Sequence, residues 1–135
     1  VFCFCFLFSR SACAIPTPSS AASVVYKRQL RGDVAVTGGI TPLVRLGHLA
    51  EGFNMQCEIH HGGNSLNNVA NLHVTMAIPN CEFYEVFPCT GANQFGLVED
   101  ITVDSHGLVY APTGPGLGYE IDWELIHRER IGVAE

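Results

Sequence analysis

The chain has 135 residues, about one domain's worth, and its 47% hydrophobic and 15% charged composition is that of a globular protein and not of a disordered one. A complete (β/α)8 barrel needs roughly 250 residues, so any barrel signature must belong to part of one. The formal net charge of -6, with 7 Lys plus Arg and no basic cluster beyond Lys27-Arg28, argues against nucleic acid as a partner, and the longest apolar run, Val1 to Phe8, is far short of the roughly 20 residues of a membrane span.

Residues 1–28 read as a leader or linker. Phe2 to Phe8 followed by Ser11-Ala12-Cys13-Ala14 has the apolar run and small-residue site of a secretory signal, but no basic residue precedes it. Pro16 to Ser23 is a Pro, Ser and Ala-rich linker. Three of the six cysteines (Cys3, Cys5, Cys13) fall in this stretch, and the odd set Cys57, Cys81 and Cys89 favours buried thiols over disulfides. The compartment is left open, with the cytoplasm favoured unless the leader is secretory.

From Gln29 the pattern sharpens. Val34-Ala35-Val36 predicts a short strand broken by Gly38-Gly39. Thr41 as cap and Pro42 at the first helical position predict a helix with Leu43, Leu46, Leu49 and Ala50 on one face, ending at Gly52. The next run alternates, with Phe53, Met55, Cys57 and Ile59 on one face and Asn54, Gln56, Glu58 and His60 on the other, which predicts a strand. Gly62-Gly63 makes a loop, Asn64 or Ser65 caps a second helix carrying Leu66, Val69, Ala70, His73 and Met76, and Pro79 stops it. Glu82 to Phe87 is a third strand, and Asp122 caps a short helix whose Trp123 is expected to pack.

Strands alternating with helices imply right-handed βαβ units and a parallel sheet, either open or part of a closed barrel. In both, function concentrates at the carboxyl ends of strands. Asp33, His60 and Glu85 lie at or near three such ends, which would gather three titratable groups on one rim.

Asp33 followed by Gly38-Gly39-Ile40-Thr41, an amphipathic helix, the strand ending at His60, and Ile78-Pro79-Asn80-Cys81-Glu82-Phe83-Tyr84-Glu85 resemble the closing barrel segments of the enolase superfamily, within its mandelate racemase subgroup. Asp104-Ser105-His106-Gly107-Leu108-Val109, Ala111-Pro112 and Pro115-Gly116-Leu117-Gly118 are similar to the tail that returns to that family's capping domain. The resemblance covers roughly Gln29 to Ile131. It implies an α/β chain that is part of a TIM-type (β/α)7β barrel, containing the last strands and helices only (29–90), with a return segment toward a capping domain (91–135).

The resemblance also implies a reaction, abstraction of the proton α to a carboxylate with the enolate stabilised by Mg2+. His60 would be the general acid/base, Asp33 its dyad partner, and Glu85 the residue that hydrogen-bonds a developing carboxylate oxygen. Dehydration of an acid sugar is the expected activity, with racemisation of a 2-hydroxy acid as the alternative. The lysine that racemisation would need and the three acidic metal ligands have no counterparts among these residues, so this chain is expected to hold no magnesium alone; a non-catalytic remnant or interaction module, including a homo-oligomer through open strand edges, is the other reading. His61 and Asn64 flank the rim as candidate contacts to substrate hydroxyls, with loop capping as the plainer alternative. A zinc module of Cys57, His60, His61, Cys81 and Cys89 is disfavoured because no close Cys pair exists. Gly114 to Gly118 reads as a return loop and not as a dinucleotide fingerprint, and Arg31-Gly32-Asp33 is read through Asp33 and not as an adhesion tripeptide.

Overall fold

The computed structural model describes residues 3–5, 29–86 and 93–132. The expectations for Lys27-Arg28, Phe87, Cys89 and the rest of the leader fall outside these residues. Strand β1 (Cys3–Cys5) lies within the stretch read as leader. It is followed by β2 (Gln29–Gly32), α1 (Val34–Thr37), α2 (Ile40–Gly52), β3 (Gln56–Ile59), α3 (Ser65–Ala77), β4 (Phe83–Tyr84), β5 (Leu108–Val109) and α4 (Trp123–Glu129). Among the described residues no helix is long and apolar enough to cross a membrane.

The chain is α/β, and its centre is the unit β2, α2, β3. The two strands pair in parallel with Arg31 opposite Glu58 and Gly32 opposite Ile59, and α2 makes the crossover. The expected strand at Val34-Ala35-Val36 is instead a helical turn, with the strand lying four residues earlier. Intrinsic preference of valine for strand is overridden because the Asp33 carboxylate accepts from the Ala35 N–H at 2.7 Å and the Val36 N–H at 3.4 Å, which caps a helix at that point. Gly38 and Gly39, at φ 92 and 123, then redirect the chain where a side chain would be strained. Helix α2 therefore starts at Ile40, two residues before the predicted Pro42.

Strand β3 is shorter than its alternation suggested. Phe53 and Asn54 belong to the turn after α2, Asn54 with φ 53 and Phe53 71% exposed, so the apolar face begins at the half-buried Met55 and runs to Cys57 and Ile59. Likewise Leu49 points to solvent, and α2 buries Leu43, Gly47 and Ala50. Helix α3 is capped by Asn64, whose side chain accepts from the Asn67 N–H at 2.9 Å. It buries Val69, Leu72 and Val74 together with the polar Ser65, Asn71 and Thr75, a more polar face than the predicted one.

Leu43, Ala50, Cys57, Ile59, Val74 and Ile78 form the main core, where α2 and α3 cover one face of β2 and β3. Gly32 is needed for this closeness, since a Cβ there would overlap the Leu43 Cδ1 methyl. Leu43 is wholly buried, and Leu43→Ala is expected to cost about 3 kcal/mol, measured as a lower urea midpoint; a loss under about 1 kcal/mol would place Leu43 outside the core.

The expected single parallel sheet is corrected. Strand β4 stands in a second sheet of order β4-β1-β5, parallel to β1, which in turn runs antiparallel to β5. The chain entering β4 touches β3 through the Cys57 N–H to Asn80 carbonyl bond at 2.9 Å, and β4 itself is only two residues long. Residues 93–132 wrap back over α3, joined by Ser65 to Asp100 at 2.9 Å, His73 to the Leu117 carbonyl at 3.0 Å and Asn93 to the Gly62 carbonyl at 3.2 Å. The Gly114 to Gly118 stretch is a turn closed by the Gly118 N–H to Pro115 carbonyl bond. Trp123, expected to pack, is 59% exposed, with its ring centroid 6.1 Å from that of His127.

Candidate functional site

Asp33, His60 and Glu85 each stand directly after a strand, β2, β3 and β4 respectively; β2 lies ahead of Asp33 where the strand was expected after it, and β4 stops at Tyr84 where Glu85 was expected within the strand. Strand alternation divides the neighbouring side chains. On β3, Cys57 and Ile59 point into the helices while Gln56, Glu58 and the following His60 take the opposite, open face. Arg31 on β2 shares that open face, and the three side chains Arg31, His60 and Glu85 meet there.

Glu85 Oε2 lies 2.7 Å from His60 Nδ1 and accepts the His61 backbone N–H at 2.9 Å, while Oε1 accepts Arg31 Nη2 at 2.5 Å. Arg31 Nη2 is also 2.9 Å from His60 Nδ1. Burial pushes the Glu85 carboxyl up, but the His61 N–H, the His60 ring and the Arg31 guanidinium outweigh it, so the group titrates below the ordinary glutamate range and is ionised near neutral pH. An ionised Glu85 accepts hydrogen bonds and holds His60. The other face of the imidazole leans over Gly62, where a Cβ would come within 2.5 Å of His60 Nε2.

The direct Asp33–His60 dyad is not formed. Asp33 is 6% exposed and committed elsewhere: besides capping α1, it accepts from Asn67 Nδ2 at 3.1 Å and from Asn71 Nδ2 at 3.1 Å. Burial raises its carboxyl, and the Ala35 N–H with the Asn67 and Asn71 amides reverse this to a net lowering. The link to His60 runs through Asn71, whose Nδ2 also donates to the His60 carbonyl at 2.8 Å. Asn71, wholly buried, and Arg31 are the two residues that sequence reasoning missed. Arg31 stands opposite Glu58 in the parallel pair, on the exposed side of the alternation along β2.

His61 and Asn64, the candidate substrate contacts, are placed otherwise. Asn64 is the cap of α3. His61 is 1% exposed on the inward face continued from Cys57 and Ile59, with its ring centroid 4.1 Å from that of Tyr84. Burial lowers its pKa to about 4, against the opposing pull of Glu85 and the Ile59 carbonyl. The unfolded histidine takes up a proton near pH 6.5 and the folded one only near 4, so stability is full above pH 6.5 and falls as pH drops from 6.5 to 4, by about 3 kcal/mol for this group. Urea unfolding at pH 7 and pH 4 is expected to show that loss, and His61→Phe to remove it; an unaltered pH slope in the variant would refute the assignment.

Among the described residues no three His, Cys, Asp or Glu side chains converge as metal ligands. The two strand-end carboxylates are filled by N–H donors, so the residues present do not fit a magnesium site. The zinc arrangement fares no better: Cys57 is a buried free thiol and Cys81 a half-buried one, both pushed up in pKa by burial.

Residues 26–125 match the family model described as enolase C-terminal domain-like. A D-galactonate dehydratase family member from Paenibacillus sp. (strain JDR-2) is 32% identical over 110 residues, which are 76% of this chain and 25% of that protein. Among solved structures, one from Pseudovibrio sp. assigned to the mandelate racemase/muconate lactonizing enzymes superposes with a TM-score of 0.73 at 37% identity, covering 78% of this chain and 28% of that one. Another, from Mesorhizobium loti and assigned as a dehydratase, gives 0.68 at 27% identity, covering 75% and 27%. The chain spans about a quarter of the length of these relatives.

Proposed function

The chain belongs to the enolase C-terminal domain-like family, and on that premise we propose that it supplies the closing segments of a (β/α)7β barrel to an enzyme that removes the proton α to a carboxylate, with acid-sugar dehydration as the net reaction. The observation that carries this reading is the 2.7 Å contact between His60 and Glu85, which joins two strand ends and leaves the imidazole on the open face.

In this reading the neutral His60 ring takes the α-proton at Nε2, the nitrogen left bare when Nδ1 keeps its proton on Glu85. The resulting imidazolium keeps its Nδ1–H on the Glu85 carboxylate, which stabilises the charge. The same proton then goes to the departing β-hydroxyl, which leaves as water, while the α-carbon to hydrogen and β-carbon to oxygen bonds break and an enol forms that tautomerises to an α-keto acid. Asp33 holds the frame through Asn71. The magnesium expected of such an enzyme has no ligand set among the described residues. Racemisation of a 2-hydroxy acid would need a second base on the opposite face.

The test uses the full-length protein that contains this segment, incubated in D2O with a panel of aldonic acids and 2-hydroxy acids and followed by proton NMR. An α-keto acid lacking the β-hydroxyl and carrying deuterium at its former β-carbon, where solvent protonates the enol, is the expected result, with α-deuteration in any substrate released before water is lost. α-Exchange without loss of water would turn the reading to racemisation, and neither α-exchange nor an α-keto acid from any of the panel would overturn it.

A further inference from the structure

We propose that Arg31 is a positioning residue for His60: it competes with Glu85 for one ring nitrogen and thereby sets which nitrogen carries the proton. The inference deepens the acid/base reading of His60 and rests on it for its consequence in catalysis, although the competition itself is a matter of geometry.

Nδ1 of His60 has two neighbours within hydrogen-bonding distance, Glu85 Oε2 at 2.7 Å and Arg31 Nη2 at 2.9 Å. A carboxylate oxygen only accepts and a guanidinium N–H only donates. A ring nitrogen with a proton can donate to Glu85 and has no lone pair for Arg31; without a proton it can accept from Arg31 and has nothing for Glu85. The two contacts are therefore alternatives. The first leaves the neutral ring with a bare Nε2, the form that can take a proton from carbon. The second puts the ring's proton on Nε2, a form that cannot.

Both competitors are anchored independently of the ring. Glu85 is held by the His61 backbone N–H, and Arg31 is tied to Glu85 Oε1. Arg31 therefore need only pivot between carboxylate and ring to exchange one state for the other. Its side chain is 53% exposed on the open face, so an anionic ligand arriving there would compete for the same guanidinium and release Nδ1 to Glu85. A carboxylate substrate would in this way favour the base form of the histidine that acts on it. The other charged groups along this face, Glu58 and Glu82, are bonded to Gln29 at 2.7 Å and Gln56 at 3.3 Å, and Asp33 is occupied by amides, which leaves Arg31 and Glu85 as the pair that decides.

The experiment is long-range 1H–15N correlation of 15N-histidine-labelled chain, at a pH where titration of the same sample shows the His60 ring neutral. The wild type is expected to show both tautomers in averaged exchange. Arg31→Met is expected to shift the ratio at least fivefold toward Nδ1–H, Arg31→Lys to restore part of it, and Glu85→Leu to shift it toward Nε2–H. A ratio in Arg31→Met within twofold of wild type, with the His61 and His73 signals unmoved as proof of folding, would overturn the proposal, as would a shift in the opposite direction. Should Arg31→Met not fold, Arg31→Lys decides by the same measure, an unchanged ratio counting against. Failure of the catalytic reading looks different, since His60→Asn would then leave α-proton exchange intact whatever the tautomer ratio does.

Discussion

His60→Asn in the full-length protein is expected to slow α-deuterium exchange by about a thousandfold, within the 10²–10⁴ range that a positioned acid/base contributes. Asparagine keeps a polar amide near the place of the ring's Nδ1, but it has no basic nitrogen to receive a proton. The fold should scarcely register the change. The His60 side chain is 44% exposed and its partner Glu85 39%, and half-exposed pairs of this kind contribute about 1 kcal/mol or less. A variant with a normal urea midpoint and lost exchange would confine the effect to chemistry. Exchange within tenfold of wild type would remove His60 from the mechanism.

Asp33→Ala is expected to act in the opposite way, through structure. It removes the cap of α1 and the acceptor of two asparagine amides, one of them on the wholly buried Asn71. Loss of a cap costs about 1 kcal/mol and a stranded buried donor 1–3 kcal/mol, so a total near 3 kcal/mol is expected. Because Asn71 also holds the His60 carbonyl, the His60 amide should exchange faster with solvent in the variant. Asp33→Asn keeps an acceptor for the Ala35 N–H and should fall between the two. An Asp33→Ala protein within about 0.5 kcal/mol of wild type would mean that the asparagine network finds other partners.

What could be read from the sequence was that Asp33, His60 and Glu85 lie at or near strand ends, most directly for His60, which closes an alternating run; Asp33 instead precedes the valine-rich run expected as its strand, and Glu85 lies inside the stretch expected as the third. The partners could not be read. The contact of His60 with Glu85 spans 25 residues and that of Arg31 with Glu85 spans 54, and nothing local in the chain says which of two carboxylates will face the ring. The helical turn at Val34 was hidden for a related reason: residue preference says strand, and only the folded position of the Asp33 oxygens against two N–H groups makes the turn. The burial of His61 was legible in principle. The alternation that places His60 with Glu58 and Gln56 places the next residue with Ile59 and Cys57, and carrying the count one step further would have put it in the core.

Gly32 sits between Arg31, which touches the ring, and Asp33, which braces the loop behind it, and the Leu43 methyl leaves it no room for a side chain. In a library randomised across positions 31 to 33 and selected for turnover, position 32 should come back as glycine alone. Position 31 would be free to sample other donors, and each survivor there would carry a different preference between the two tautomers. This part of the molecule is thus rigid at one residue and tunable at the next, so a drift in pH optimum among descendants of this chain should be traceable to a side chain that never meets the substrate's reacting carbon.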